Sequence, residues 1–436
     1  MASTYDAIII GAGVIGAATA FEMAKNGLKT LNVDAMGEAG HGSTSGSCAI
    51  IRVYYSTVPG TALAYESWHY WRDWADYLGV TDERGLAEYR NLGCLVMKTE
   101  LNQHLARHMA ICDQLAIPYE EWDEAKVLER LPHYNLERFW PAKRPDDDGF
   151  GQPSGGRIAG GVFFPTGGYV TDPALSAHNL QRAAEAHGAQ FRFNVRVADI
   201  LTRDGRTSGV RLASGEEIAA PVVVNVAGPA SSRINEMAGV TGDMTISTRA
   251  LKQEVVHLPA PDGFFAGSGE LIVSDSDVAT YLRPEKGGNI LIGSEDPPCD
   301  SHVVVDDPLA DDWRNFTGQW DIQAMRQAQR APTIGIPGRP KGVVDLYDVT
   351  EDWIPIYDKT SLPGFYMACG TSGNQYKNAP VAGKMMAALV NYCEAGNDHD
   401  AKPLTITMPY TGLDLDIGFF SRKREINQDS SFTVLG

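Results

Sequence analysis

Apolar positions along this chain fall into short unbroken runs, which read as buried strands, separated by stretches with helical spacing. Residues 7–10, Ala-Ile-Ile-Ile, predict a strand buried on both faces. Gly11-Ala12-Gly13-Val14-Ile15-Gly16 follows at once, residues 17–25 predict a helix, and Asn26-Gly27 stops it. A second strand over 29–33 ends at Asp34, completing a βαβ unit. Residues 60–79 predict an unusually aromatic helix (Tyr65, Trp68, Tyr70, Trp71, Trp74, Tyr77), whose rings are read as core. Further on, 85–100 looks strand-like, 101–131 predicts two helices broken near Pro118, and the Pro-, Gly- and Asp-rich 141–161 reads as a surface connection. A helix is expected over 172–187, then strands around 190–201 and 207–212 flanking Asp204-Gly205, and a compact strand over 222–226. Several strands and one helix near 308–330 occupy 245–340, before a short strand at 365–368 and a helix over 380–393. Residues 403–436 mix aromatics with Arg422, Lys423 and Arg424, and the pattern leaves open whether they pack on the body or on a neighbouring subunit.

The glycine pattern carries the first chemistry. A G-x-G-x-x-G alone is weak, but here a strand precedes it, a helix follows it, and an acid closes the next strand. Gly11 permits the tight turn, Gly13 lets backbone approach a pyrophosphate, and Gly16 lets the helix sit close to the strand. The helix start at Val14 and Ile15 offers N–H groups to the anion, and Asp34, with Ala35 beside it, suits the hydroxyls of an adenosine ribose.

Composition narrows the setting. The 436 residues carry 37 Lys and Arg against 55 Asp and Glu, a net charge of −18, which argues against nucleic acid or an anionic membrane as partner. The six cysteines (Cys48, Cys94, Cys112, Cys299, Cys369, Cys393) show no C-x-x-C spacing, so reduced thiols in the cytoplasm are expected, with neither a disulfide framework nor a metal site. The apolar N-terminal run lacks a basic n-region and is punctuated by glycines, unlike a signal peptide, and no stretch is long and apolar enough to span a bilayer.

Four stretches together resemble the D-amino-acid-oxidase-like flavoproteins, in particular the sarcosine oxidase and glycine oxidase branch, over about residues 5–395. They are the βαβ unit; Gly40-His41-Gly42-Ser43-Thr44-Ser45-Gly46-Ser47 running into Ile50-Ile51-Arg52-Val53-Tyr54-Tyr55; Gly167-Gly168-Tyr169-Val170-Thr171-Asp172-Pro173; and Cys369-Gly370-Thr371-Ser372-Gly373-Asn374-Gln375-Tyr376-Lys377. The resemblance implies FAD, held by Gly42, Ser43, Thr44 and Ser47 along the pyrophosphate and ring system. It also implies Val197, Ala227 and Gly228 at the adenine half, and Gly370, Gly373, Asn374, Gln375, Tyr376 and Lys377 near the flavin. Arg52 and Lys377 match the pair that holds a substrate carboxylate, and Tyr281 and Tyr55 are expected to line the substrate pocket.

Departures from the family pattern matter as well. Asp345 stands where sarcosine oxidase attaches FAD through cysteine, so non-covalent FAD is expected. Leu291 stands in place of a lysine that promotes reaction with oxygen, which leaves oxidase and dehydrogenase both open. Asn374 stands where a histidine is frequent; Glu295 replaces a histidine and Ala49 a basic residue, so a substrate other than plain sarcosine is implied. Glu295 as a site for a cationic substrate group competes with an ordinary surface acid, and Arg283 with either a carboxylate ligand or a salt-bridge role.

The expected fold is α/β: an FAD-binding Rossmann-like domain of the glutathione-reductase type, with a substrate domain on a mixed β-sheet. The expected segments are 1–85, 151–244 and 341–400 for the cofactor domain, 86–150 and 245–340 for the substrate domain, and 401–436 as an extension. The expected reaction is oxidation of the C–N bond of an amino acid or N-substituted amino acid by hydride transfer to flavin N5, giving an imine that hydrolyses. Alternatives are a catalytic subunit of an electron-transferring complex, with an acceptor protein as partner, a hydroxy-acid or polyol dehydrogenase, and a non-catalytic FAD-binding subunit. The small-molecule substrate aside, oligomeric state stays open.

Overall fold

A computed structural model describes residues 5–265 and 270–435. Two large sheets organise the chain. The first has six strands in the order Ile356–Lys359, Phe365–Cys369, Val222–Asn225, β1 (Ala7–Ile10), β2 (Thr30–Val33) and Gln190–Arg192. Its neighbours are parallel except for the antiparallel pair at the Ile356–Lys359 edge. β1 is buried at all four positions, as its unbroken apolar run requires. Ala7 and Ile9 face a core with the helices α1 (Val14–Lys25), Pro173–Ala186 and Ala379–Glu394, while Ile8 and Ile10 face a three-stranded antiparallel layer spanning Val197–Arg203, Arg206–Leu212 and Glu217–Ala219.

The second sheet has eight strands in the order Gly342–Val349, Arg249–Pro259, Asn289–Ser294, Thr280–Glu285, Ile272–Asp275, Cys94–Met97, Gly161–Phe164 and Glu120–Trp122. It is mixed: Ile272–Asp275 runs parallel to Cys94–Met97 and the other pairs are antiparallel. Its strands Gly161–Phe164 and Gly342–Val349 come from chain segments that the sequence reading assigns to the cofactor side. Helix Gln319–Arg330 packs on one face through Trp320 and Ala324, and the other face looks toward the cavity described below.

Several elements differ in detail from the periodicity. The aromatic helix is Val58–Arg72, interrupted at Asp73 and resumed as Trp74–Leu78. A short strand, Glu120–Trp122, separates the two helices of 101–131. The stretch 190–201 divides at Asn194, whose φ of 58° turns the chain from one sheet to another. The helix expected from about 308 begins only at Gln319, because Glu254 from a distant strand accepts the N–H groups of Thr317 (2.7 Å) and Trp320 (3.0 Å) and fixes the start.

The region after Pro403 packs on this same chain. It forms a ribbon, Thr405–Thr407 against Asp414–Asp416, and buries Arg422 between Asp243, Asp358 and Asp400. Among the described residues no helix is long and apolar enough to cross a membrane.

Candidate active site

One elongated cavity of about 500 Å³ runs from the glycine turn of the first sheet to the inner face of the second. Its cofactor-side end is shaped by backbone. Gly11 has φ of 118°, and a Cβ there would overlap the Val226 carbonyl of the neighbouring strand. At Gly16 a Cβ would strike the Gly11 carbonyl, so α1 lies directly on the turn. Asn32, fully buried in β2, donates from Nδ2 to the carbonyls of Gly11 (3.0 Å) and Gly16 (3.2 Å) and ties turn, helix and strand together. Helix α1 starts at Gly13 with no side-chain cap and no acid in its first turn, which leaves its positive end available to an anion.

Asp34 closes β2. Its carboxylate accepts the N–H of Ala12 (2.6 Å) and of Met36 (2.7 Å), and burial raises its pKa from the ordinary value. Gly11, Gly13, Val14, Ile15, Gly16, Asp34 and Ala35 all line the cavity, as do Gly42, Ser43, Thr44 and Ser47 from the following loop. Thr44 Oγ1 accepts the Val14 N–H at 3.0 Å, which holds that loop against the helix start. Val197, Ala227 and Gly228 line the same end. A glycine cradle, a helix start with no acid in its first turn and a buried acid at the strand end fit a dinucleotide pyrophosphate and its ribose.

The far end gathers the candidate substrate residues. Arg52, Tyr281, Gly373, Gln375, Tyr376 and Lys377 line it. Arg52 is 5% exposed and stacks its guanidinium 4.2 Å from the centroid of the Tyr55 ring. Lys377 Nζ lies 5.6 Å from the same centroid and donates to Asn374 O (2.7 Å) and Tyr55 Oη (3.3 Å). Burial, and then the Arg52 charge, push the Lys377 pKa well down, so a nearby anion would favour its ammonium form. The aromatic helix positions this lysine: Trp71 donates from Nε1 to the Lys377 carbonyl at 2.6 Å and stacks 5.3 Å from Tyr376.

Tyr281 leans on Gly293 of the adjacent strand, where a Cβ would overlap the phenol ring. Its hydroxyl is 3.4 Å from Tyr347 Oη, and burial raises its pKa. Tyr55, Gly370 and Asn374 do not line the cavity. Tyr55 forms a back wall, donating to Asn374 O at 2.6 Å, and the Gly370 N–H is held by Asp348 at 2.6 Å. Leu291 pairs with Arg283 outside the cavity, and Arg283 is engaged with Cys48 O (2.6 Å), Pro284 O (2.7 Å) and Glu285 (3.0 Å). Glu295 is buried, not a surface acid. It accepts from Ser274 Oγ at 2.5 Å, and burial raises its pKa to about 7.

The cavity also takes in residues that sequence reasoning did not single out: Tyr54, Ser274, Tyr347, and Val434 with Leu435 from the far end of the chain. Tyr54 and Tyr55 follow the short strand Ile50–Ile51 in irregular backbone, where no alternation tells which of the two faces inward. Tyr347 shares a face with Asp345, two positions earlier in its strand, and that spacing was a usable signal.

Comparison with known proteins agrees with this geometry. The FAD dependent oxidoreductase family profile (DAO) matches residues 6–389. The sarcosine oxidase subunit beta of Rhodobacter capsulatus is 24% identical over 401 residues, covering 88% of this chain and 84% of that protein. The glycine oxidase of Geobacillus kaustophilus is 25% identical over 420 residues, covering 93% and 98%. The crystal structure of glycine oxidase from Geobacillus kaustophilus superposes with a TM-score of 0.73 at 22% identity, over 97% of this chain and 100% of that one. L-proline dehydrogenase from P. horikoshii also gives 0.73, at 19% identity, over 97% and 98%. With the profile spanning most of its length and the dinucleotide cradle in place, this chain belongs to the DAO family of FAD-dependent oxidoreductases.

Proposed function

We propose that the protein oxidises the C–N bond of a small amino acid or N-substituted amino acid to an imine, which water then hydrolyses to a carbonyl compound and an amine. The observation that carries this reading is the placement of Arg52 and Lys377 on one aromatic wall, at the end of the cavity whose other end is the dinucleotide cradle. Bound non-covalently, FAD would supply the acceptor for one hydride, that is, two electrons and a proton. The chain does the rest. Arg52 takes the substrate carboxylate by charge-assisted hydrogen bonds and sets the orientation of the α-carbon. Arrival of that carboxylate favours protonation of Lys377, whose ammonium then holds the second edge of the anion. Tyr281, partly buried, and Tyr54, buried, wall the site, and their rings exclude water while the substrate amine stays neutral.

Relatives named sarcosine oxidase subunit beta support a second reading, in which the chain is the catalytic subunit of a complex and passes electrons to a partner protein. A cytoplasmic setting suits the six unpaired cysteines. The test is the visible spectrum of the purified holoprotein, taken without oxygen, before and after adding N-methyl and unsubstituted amino acids. Bleaching of the flavin bands by one of them is expected, and no bleaching by any while hydroxy acids succeed would replace the reading. Admitting air to the bleached protein separates the two forms: rapid return of colour marks an oxidase, and a persistently reduced protein marks a dehydrogenase that needs a partner.

A further inference from the structure

The guanidinium of Arg52 is engaged by the protein's own backbone. One Nη1 N–H goes to the Tyr54 carbonyl, and Nη2 donates to the carbonyls of Val434 (2.9 Å) and Leu435 (2.6 Å). A carboxylate grips arginine with two parallel bonds, from Nε and Nη2 or from Nη1 and Nη2. Both arrangements need Nη2, and Nη2 has only two hydrogens. Residues 434–435 and a bidentate carboxylate therefore exclude each other at Arg52.

What holds residues 431–435 in place is slight by comparison with what anchors the chain just before them. Arg424 pairs with Asp352 at 2.8 Å, the Asn427 N–H reaches the same carboxylate at 3.2 Å, and Ser430 Oγ donates to Asp352 O at 2.5 Å. Beyond Ser430, apart from the two carbonyls on Arg52, the hydrogen bonds are short-range turns: Phe432 N–H to Ser430 Oγ, Thr433 N–H to Ser431 Oγ, and Leu435 N–H to Thr433 Oγ1. Phe432 is exposed and sits at φ of 53°, a left-handed conformation that is strained for a non-glycine residue. Val434 alone docks deeply, against Leu251, Val349 and Trp353. Segments with few long-range ties open at low cost.

We propose that residues 431–435 are a specificity-determining placeholder in the carboxylate seat, which an anionic substrate displaces from Arg52. The inference rests on the reading of Arg52 as that seat. Neutral carbonyls satisfy the hydrogens of the buried guanidinium without neutralising its charge, so a carboxylate, which adds the opposite charge and two parallel bonds, wins the exchange. An amine without a carboxylate has nothing with which to displace the segment, and remains outside.

The test uses the FAD-containing protein and acetate as probe, with binding followed by the perturbation of the flavin spectrum. Deleting residues 431–436 removes the competitor and leaves the Ser430 anchor and everything before it. Acetate is expected to bind about fivefold more tightly or better, with Val434→Ser shifting affinity in the same direction by less. In the unaltered protein, saturating acetate is expected to speed hydrogen exchange at the amides of 432–435. Unchanged or weaker acetate affinity on deletion, or amides that exchange no faster with acetate, overturns the proposal. Arg52→Gln separates the two layers. If it abolishes acetate binding while the deletion has no effect, the placeholder falls and the seat stands. If it leaves acetate binding untouched, both fall.

Discussion

At the scale of single residues, the site is defined by charges taken out of water. Glu295 lies behind the cavity and reaches it only through Ser274, so it shapes the pocket's field from a second layer. Burial holds its pKa near 7, and Asp296 and Asp348 are raised to about 7 in the same way. Between about pH 4.5 and 7 the folded protein keeps protons on these groups that the unfolded chain has already released, so their contribution to stability declines as pH rises and levels off above 7. Glu295→Gln should therefore be more stable than the parent at pH 8, by about 2 kcal/mol, and nearly equal to it at pH 5. Urea unfolding at the two pH values checks this, and an equal difference at both would show that Glu295 does not change its protonation across that range.

Elements act here by bringing backbone close to backbone. The glycine turn is legible in sequence, but its tie to Asn32 is not, because a polar residue within a buried strand gives no sign of its partner until the strand is placed. Asn32→Leu preserves volume and leaves the carbonyls of Gly11 and Gly16 without that donor. FAD should be retained about tenfold less tightly, as judged by flavin lost on gel filtration or dilution. Helix Val58–Arg72 offers a second case. Its aromatic residues are core, as their spacing suggests, yet Trp71 also fixes the Lys377 carbonyl. Trp71→Phe keeps the stacking and removes the N–H, so thermal stability should fall by about 1 kcal/mol. If the bond also sets the lysine's position, the amino acid concentration needed to bleach the flavin rises with it.

For the whole molecule, the extension after Pro403 is the decisive piece. Arg422 is fully buried and ion-paired with Asp243, Asp358 and Asp400, of which Asp358 is itself fully buried. Arg422→Ala removes the cation and strands those carboxylates, a loss of about 3–5 kcal/mol measurable by denaturant unfolding. Replacement of Lys423, which is exposed and meets the same acids from outside, should cost well under 1 kcal/mol. The contrast tests whether the extension is part of the folding unit: if Arg422→Ala costs as little as the Lys423 variant, the extension is a surface appendage.

What the amino-acid sequence settled by itself was local. An unbroken apolar run, a glycine turn and a helix start are near neighbours in the chain, and steric rules tie each to one backbone shape, so the dinucleotide cradle from Gly11 to Asp34 could be read before any fold was known. Family resemblance extended that to Arg52, Tyr281 and Lys377, which the fold gathers into one cavity from three distant parts of the chain. Tertiary structure alone decided which of Tyr54 and Tyr55 faces inward, that Glu295 acts from behind Ser274, and that Val434 and Leu435 reach Arg52 across more than 380 positions of sequence. Those outcomes depend on backbone carbonyls and on packing between remote segments. Every residue carries a carbonyl, so nothing in the order of side chains marks the two that will meet a particular guanidinium.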